Sequence, residues 1–145
     1  METFLVQDFV TIRGPGVTTV TQTSESWLRL PDVPNAVAWL QVTELTTNGG
    51  TVKMSYQTAP VEDEGMFVAL AGPATTVPFA PSVGVNVTPL LKDLLGFSFG
   101  SGLGTGSPLA GFFRWQLVAS GTFSGAWDIT FRLWLSARSK KPARR

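Results

Sequence analysis

Cysteine and histidine are both absent from the 145-residue sequence. Without cysteine the chain has no disulfide framework, no thiol nucleophile and no thiolate metal site. Without histidine it lacks the commonest general base and the commonest transition-metal ligand. The two absences exclude Ser-His and Cys-His catalytic pairs and the zinc sites that use these residues. We therefore expect a protein that is not an enzyme, with no catalytic residue, no cofactor and no metal site.

Charge is also scarce, since Asp, Glu, Lys and Arg make up only 14% of the residues, against a usual quarter. Five of the 11 basic residues follow position 137, which leaves six against 10 acidic residues, a net charge of −4, for residues 1–137. Continuous apolar runs stay far below the roughly 18 residues of a membrane span. The composition therefore predicts a weakly charged body with a basic C-terminal arm and no membrane segment.

Residues 109–136 carry the strongest structural pattern in the chain. Every second residue is apolar in two runs, which are separated by the turn-forming residues 120–125. The two apolar rows are Phe113, Trp115, Leu117 and Ala119, then Trp127, Ile129, Phe131, Leu133 and Leu135. The pattern predicts a β-hairpin whose strands turn both rows towards one core.

A second hairpin is predicted over residues 36–58, where two alternating runs flank Asn48-Gly49, a pair that favours positive φ. Shorter β-type runs cover residues 4–13, 17–23, 27–30, 66–71 and 83–87. One helical turn is predicted over residues 89–95, with Thr88 as its N-cap.

Eight or nine short strands without crossover helices predict an all-β fold. The expected architecture is a single antiparallel β-sandwich or jelly-roll-like barrel. The expected domain covers residues 1–137, and residues 138–145 form a basic flexible arm.

The polar row of the first hairpin is the leading candidate for a contact surface. Arg114 and Gln116 alternate with the apolar row of one strand, and Asp128, Thr130 and Arg132 do so in the other. If the turn between the two strands is centred near Thr122 and Phe123, Asp128 lies across from Gln116 or Val118, within diagonal reach of one arginine. The row could form a polar ligand groove, but a cross-strand ion pair or an inter-subunit contact is favoured. Trp134 lies on the same polar face and completes the candidate interface together with Arg138, Lys140 and Lys141 of the basic arm.

Four further features are each interpreted against a structural alternative. The acidic residues 62–64 lack calcium-loop spacing, so a solvated loop or a contact for a basic neighbour is favoured. The glycine-rich residues 96–108 do not match a phosphate-binding loop and fit a segment that orders against a partner. The basic arm has five charges and no interleaved aromatics, which would support only weak binding to nucleic acid, so a solvated arm or one that docks on an acidic protein surface is favoured. The five tryptophans favour core or interface packing over sugar stacking.

The chain resembles small all-β structural proteins of tailed bacteriophages. The features that carry this resemblance are a β body without histidine or cysteine, a basic C-terminal arm, and the hairpin segments Phe113-Arg114-Trp115 and Trp127 to Leu135. The resemblance is in particular to head decoration (cement) proteins. It implies a non-enzymatic protein that binds the major capsid protein or other virion subunits, forms homo-oligomers with a trimer favoured, and is assembled into virions in the host cytoplasm. Another virion component, from the tail or head–tail connector, and a carbohydrate-binding β-sandwich module remain as alternatives.

Overall fold

The structure, a computed structural model, describes residues 2–30, 35–70, 78–91 and 110–137. Nine β-strands and two short 3₁₀ helices, Ser24–Ser26 and Glu64–Met66, occupy this part of the chain. The strands are β1 (Glu2–Gly14), β2 (Thr18–Thr21), β3 (Leu28–Arg29), β4 (Asn35–Thr46), β5 (Thr51–Ala59), β6 (Val68–Ala69), β7 (Gly84–Leu91), β8 (Phe112–Ser120) and β9 (Trp127–Ala137).

The strands form two antiparallel sheets that pack as a sandwich. Sheet A has the order β1-β9-β4-β7, and sheet B has the order β2-β8-β5-β6, with β3 also paired to β8. The predicted all-β class and the predicted sandwich of eight or nine strands are confirmed.

The core lies between the sheets and contains both apolar rows that the sequence predicted. Every residue of the rows on β8 and β9 is buried, and Trp115 of sheet B contacts Phe131 of sheet A edge-on, with ring centroids 5.1 Å apart. Tyr56 of β5 lies in the same core. Desolvation by burial raises the pKa of its phenol well above the ordinary value, so the hydroxyl stays neutral.

The predicted hairpins are wrong in one respect, the position of the strands relative to each other. β8 belongs to sheet B and β9 to sheet A, and β4 and β5 are divided in the same way. The two strands of each predicted hairpin therefore lie in different sheets, on opposite sides of the core, and not beside each other in one sheet. Alternation of apolar and polar residues identifies the side chains that share a core. It does not distinguish two strands of a hairpin from two strands in opposite sheets, because both arrangements turn the apolar residues towards the same core. The Asn48-Gly49 turn does have positive φ, 48° and 89°.

The predicted helical turn over residues 89–95 is wrong where the structure describes it. Pro89, Leu90 and Leu91 belong to β7 and pair with β4, with Val37 opposite Pro89. Proline's fixed φ suits the first turn of a helix, but it also suits an edge strand, and β7 is the last strand of sheet A. The predicted glycine-rich segment, 96–108, and the basic arm, 138–145, lie outside the described residues.

Candidate binding surface

The outer face of sheet A carries a row of apolar side chains that crosses all four strands. Leu5 of β1 is opposite Trp134 of β9, Trp134 is opposite Trp39 of β4, and Trp39 is opposite Val87 of β7. Neighbouring strands lie about 4.8 Å apart, so the row is roughly 15 Å wide. We call these four residues the outer row.

Three of the four residues of the outer row are exposed although they are apolar, and Trp134 is partly buried between them. Trp39 is 42% exposed, Leu5 44% and Val87 51%, while Phe9 and Val85 beside them are 46% and 63% exposed. Scattered exposed apolar residues are ordinary on a protein surface, but a contiguous patch indicates a surface that another molecule covers. The outer face of sheet A is therefore the candidate binding surface.

A cavity of about 460 Å³ lies over the two tryptophans of the outer row. Its lining residues are Thr3, Trp39, Gln41, Val85, Trp134 and Ser136. Trp39 donates a hydrogen bond from Nε1 to Ser136 Oγ at 2.7 Å, which fixes the orientation of its indole ring. The cavity is thus lined by two indole rings, of which that of Trp39 has a fixed orientation, and has amide and hydroxyl groups at its margin.

Arg132 lies next to the outer row and is held by two kinds of contact. Its Nη2 donates to Gln41 Oε1 at 2.8 Å, and its guanidinium carbon lies 4.5 Å from the ring centre of Phe9 and 5.6 Å from that of Trp134. The buried Nε has no hydrogen-bond partner among the described residues. A guanidinium that stacks on aromatic rings can lie within an apolar surface at little cost in free energy.

Asp128 lies at the far end of the same face of β9. It is opposite Arg13 of β1, and the two side chains form an ion pair at 3.9 Å. The structure therefore places Asp128, Arg132 and Trp134, three of the predicted interface residues, on one face of one strand. The predicted neighbourhood of Asp128 with Gln116 or Val118 is wrong, because β8 and β9 lie in different sheets.

Arg114 lies away from this surface, on sheet B. Only 4% of its side chain is exposed, and its guanidinium carbon is 4.0 Å from the ring centre of Phe67 and 5.2 Å from that of Trp27. It donates to Gln57 Oε1 at 2.7 Å and to Glu64 Oε2 at 2.5 Å. Arg114 is thus enclosed by its own chain, and a polar groove shared with Asp128 and Arg132 does not form.

The acidic loop supplies one of these partners. Glu64 contacts Arg114, and Asp63 accepts a hydrogen bond from the backbone N–H of Gly65 at 3.0 Å, which caps the short 3₁₀ helix. No cluster of carboxylates with the grouping of a metal site occurs in the part of the chain that the structure describes. In the same part, none of the helices has the length and apolar character to cross a membrane. Arg138, Lys140 and Lys141 lie outside it.

Sequence reasoning noted Trp39 and Trp134 but missed the valines of the surface. In the β7 run, Val85 and Val87 alternate with Gly84, Asn86 and Thr88, a pattern that favours buried valines. The register with β4 reverses this expectation, because Asn86 is opposite the buried Leu40 and Val87 is opposite the exposed Trp39. Asn86 satisfies its side chain locally, with Nδ2 donating to Ser82 O at 2.8 Å.

No known protein family and no curated protein matches the sequence. Two solved structures resemble the fold, one of infectious bursal disease virus Gx strain and one of the Gt strain. Their sequence identities are 11% and 10%, and their TM-scores are 0.47 and 0.46. In both cases the match covers 92% of this chain and 30% of the other, so the chain spans under a third of the structures it resembles. This likeness concerns the fold and assigns neither a family nor a function.

Proposed function

We propose that the chain is a non-enzymatic structural protein of a virion, and specifically a decoration protein that binds and stabilises the head shell of a tailed phage. The observation that carries the proposal is the outer row, an apolar strip across the whole width of an exposed sheet. Apolar surface in water is unfavourable by about 25 cal/mol per Å². A partner that covers the row therefore gains binding energy without any reactive group.

The remaining surface chemistry agrees with a structural role. Among the described residues, the strand register places only four charged side chains on the outer face of sheet A: Arg13, Glu44, Asp128 and Arg132. Two of them, Arg13 and Asp128, form an ion pair with each other. Many weak contacts of this kind, repeated on every copy around a shell, add up through avidity. The resemblance to phage structural proteins favours a head shell as the partner.

Quantitative mass spectrometry of gradient-purified virions, produced by the genome that encodes the chain, tests the proposal. We expect the protein to sediment with the particles, in a number of copies comparable to that of the major shell subunit. A few copies per particle would instead support a tail or connector component. Absence from the particles would contradict a virion role altogether.

A carbohydrate-binding role is the second candidate, and the cavity favours it. Two indole rings lie directly opposite each other on adjacent strands, with Gln41 and Ser136 at the margin. Indole faces stack on the apolar faces of sugars, and the amide and hydroxyl groups could bind sugar hydroxyls. Titration of tryptophan fluorescence with a glycan panel tests this role. Saturable quenching that disappears in Trp134→Ala, and persists in a Trp27→Phe control, would support it over shell binding.

A further inference from the structure

The two edge strands of sheet A differ in their protection against pairing with another chain. β1 carries the charged residues Glu2, Asp8 and Arg13, and its pairing with β9 is interrupted by two register shifts. Charges and bulges of this kind are the features that prevent edge strands from pairing with other molecules. β7, at the other edge, has neither: no charged residue occurs from Gly65 to Leu91, and its register with β4 is unbroken.

The direction of the backbone groups in the middle of β7 can be assigned from its ladder with β4. Leu40 is opposite Asn86, and Leu40 O accepts from Asn86 Nδ2 at 3.4 Å, so this carbonyl points towards β7. Backbone groups alternate in direction along a strand of an antiparallel ladder. Those of Val85 and Val87 therefore point away from β4. Among the described residues, β4 is the only strand that pairs with β7.

The position of the proline agrees with this assignment. Pro89 is two residues beyond Val87, so its nitrogen also points away from β4, and the sheet loses no internal hydrogen bond. The side chains of Val85 and Val87 project onto the outer face and are 63% and 51% exposed. Val85 and Val87, in the middle of β7, thus combine outward backbone groups that pair with no other described strand and exposed β-branched side chains.

We propose that β7 pairs with β7 of a second copy of the chain, antiparallel and about a twofold axis at Asn86. In this register Val85 of each copy is opposite Val87 of the other, and the two pairs form four backbone hydrogen bonds. Each valine then contacts a valine, and Asn86 faces its own counterpart. The two copies of sheet A become one eight-stranded sheet, with the two outer rows on the same face.

A second copy suits this edge better than a charged partner segment does. Two uncharged strands meet without repulsion, and valine–valine pairs across strands are stabilising. The contact is small compared with the roughly 800 Å² per partner of stable complexes. It is therefore weak in dilute solution and strengthened where copies are crowded on a surface. The proposal concerns only the contact between copies, and it can fail while the proposed shell-binding role holds.

Sedimentation equilibrium of the full chain tests the pairing. We expect the mass to rise from 15.6 kDa towards twice that value as the concentration approaches about 1 mM. Val85→Lys/Val87→Lys should remain monomeric, because each lysine then meets a lysine of the other copy. The matched variant Val85→Lys/Val87→Glu places lysine opposite glutamate and should dimerise at least as well as the native chain. Both variants change the same exposed positions, so circular dichroism should show the same fold.

The cysteine-free chain allows a second test of the register. Asn86→Cys places two cysteines opposite each other at a non-hydrogen-bonded pair, where the Cα atoms lie about 4.5 Å apart and a disulfide can form. Thr88→Cys places them several residues apart on the same face. Rapid oxidation to a covalent dimer in Asn86→Cys alone is expected. The proposal would be overturned by a monomer at every concentration or by a mass of three chains. It would also be overturned if the two charge variants behaved alike, or if Asn86→Cys and Thr88→Cys cross-linked equally.

Discussion

Arg114 illustrates how a residue suited to an interface can serve the fold instead. From the sequence it belongs to a polar strand face, and nothing local indicates that Trp27, Phe67 and Glu64 will enclose it. These partners come from segments up to 87 positions away, because only tertiary packing brings them to β8. Its low exposure makes it a stability determinant of sheet B.

Replacing Arg114 by methionine should lower the free energy of unfolding by about 2–3 kcal/mol, since a charge-assisted bond to Gln57 and two aromatic contacts are lost. Glu64→Gln is the matched control. Glu64 is 70% exposed, so the loss of its charge should change stability by less than about 1 kcal/mol. Urea denaturation measures both variants. Equal effects would mean that the ion pair, and not the enclosure, matters.

Tyr56 presents the opposite case, a buried polar group without a partner. Its Oη has no hydrogen bond among the described residues, so Tyr56→Phe should leave stability unchanged or raise it by up to about 1 kcal/mol at pH 7. A loss of more than about 1 kcal/mol would contradict the burial of an unpaired hydroxyl.

The same burial gives a pH dependence with a definite sign. The folded-state pKa of Tyr56 is raised, while the unfolded chain ionises near the ordinary value of 10.0. Stability is therefore fully present below pH 10 and falls as the pH rises above it, by at most about 1.4 kcal/mol per pH unit. Tyr56→Phe should lack this component. Urea denaturation between pH 9 and about 11 compares the two slopes, and identical slopes would contradict the account.

At the level of elements, the sequence predicts the strands and their buried faces much better than it predicts their partners. The rows of β8 and β9 follow from period-two alternation alone, and all their residues are buried. Whether the chain turns back beside a strand or crosses to the other sheet depends on long-range pairing, such as that of β9 with both β1 and β4. The outward valines of β7 were missed for the same reason, because the register with β4 decides their face.

Two of the connections that cross between the sheets, the one from β4 to β5 and the one from β8 to β9, contact each other through Asn48. Its carbonyl oxygen accepts from Ser124 N at 2.8 Å, and its side-chain Nδ2 donates to Ala126 O. Asn48 also has a φ of 48°, which asparagine tolerates better than most residues.

Asn48→Gly should lose only the side-chain bond, about 1 kcal/mol of unfolding free energy. Asn48→Ala should lose roughly 1 kcal/mol more, because alanine resists positive φ. Thermal and urea unfolding of the two variants check this order. If alanine were no worse than glycine, backbone conformation would not be the reason for asparagine at this position.

For the whole molecule, the central feature is the difference between the two sides of sheet A. Its inner face completes a core of aromatic and aliphatic residues, and its outer face carries apolar residues that no described part of the chain covers. A sandwich needs only its inner faces to fold. Folding therefore does not require the outer row to be apolar, and in our proposal the row serves contact with a virion shell.

Co-sedimentation of the full chain with shells that lack it tests this claim most directly. The native chain is compared with Trp39→Ser/Trp134→Ser, with Leu5→Lys as a milder change in the same row, and with Val17→Ser/Val68→Ser, two exposed apolar residues away from the row. We predict that binding is lost in the first variant, weakened in the second and retained in the control. Equal binding by all four proteins would contradict the account.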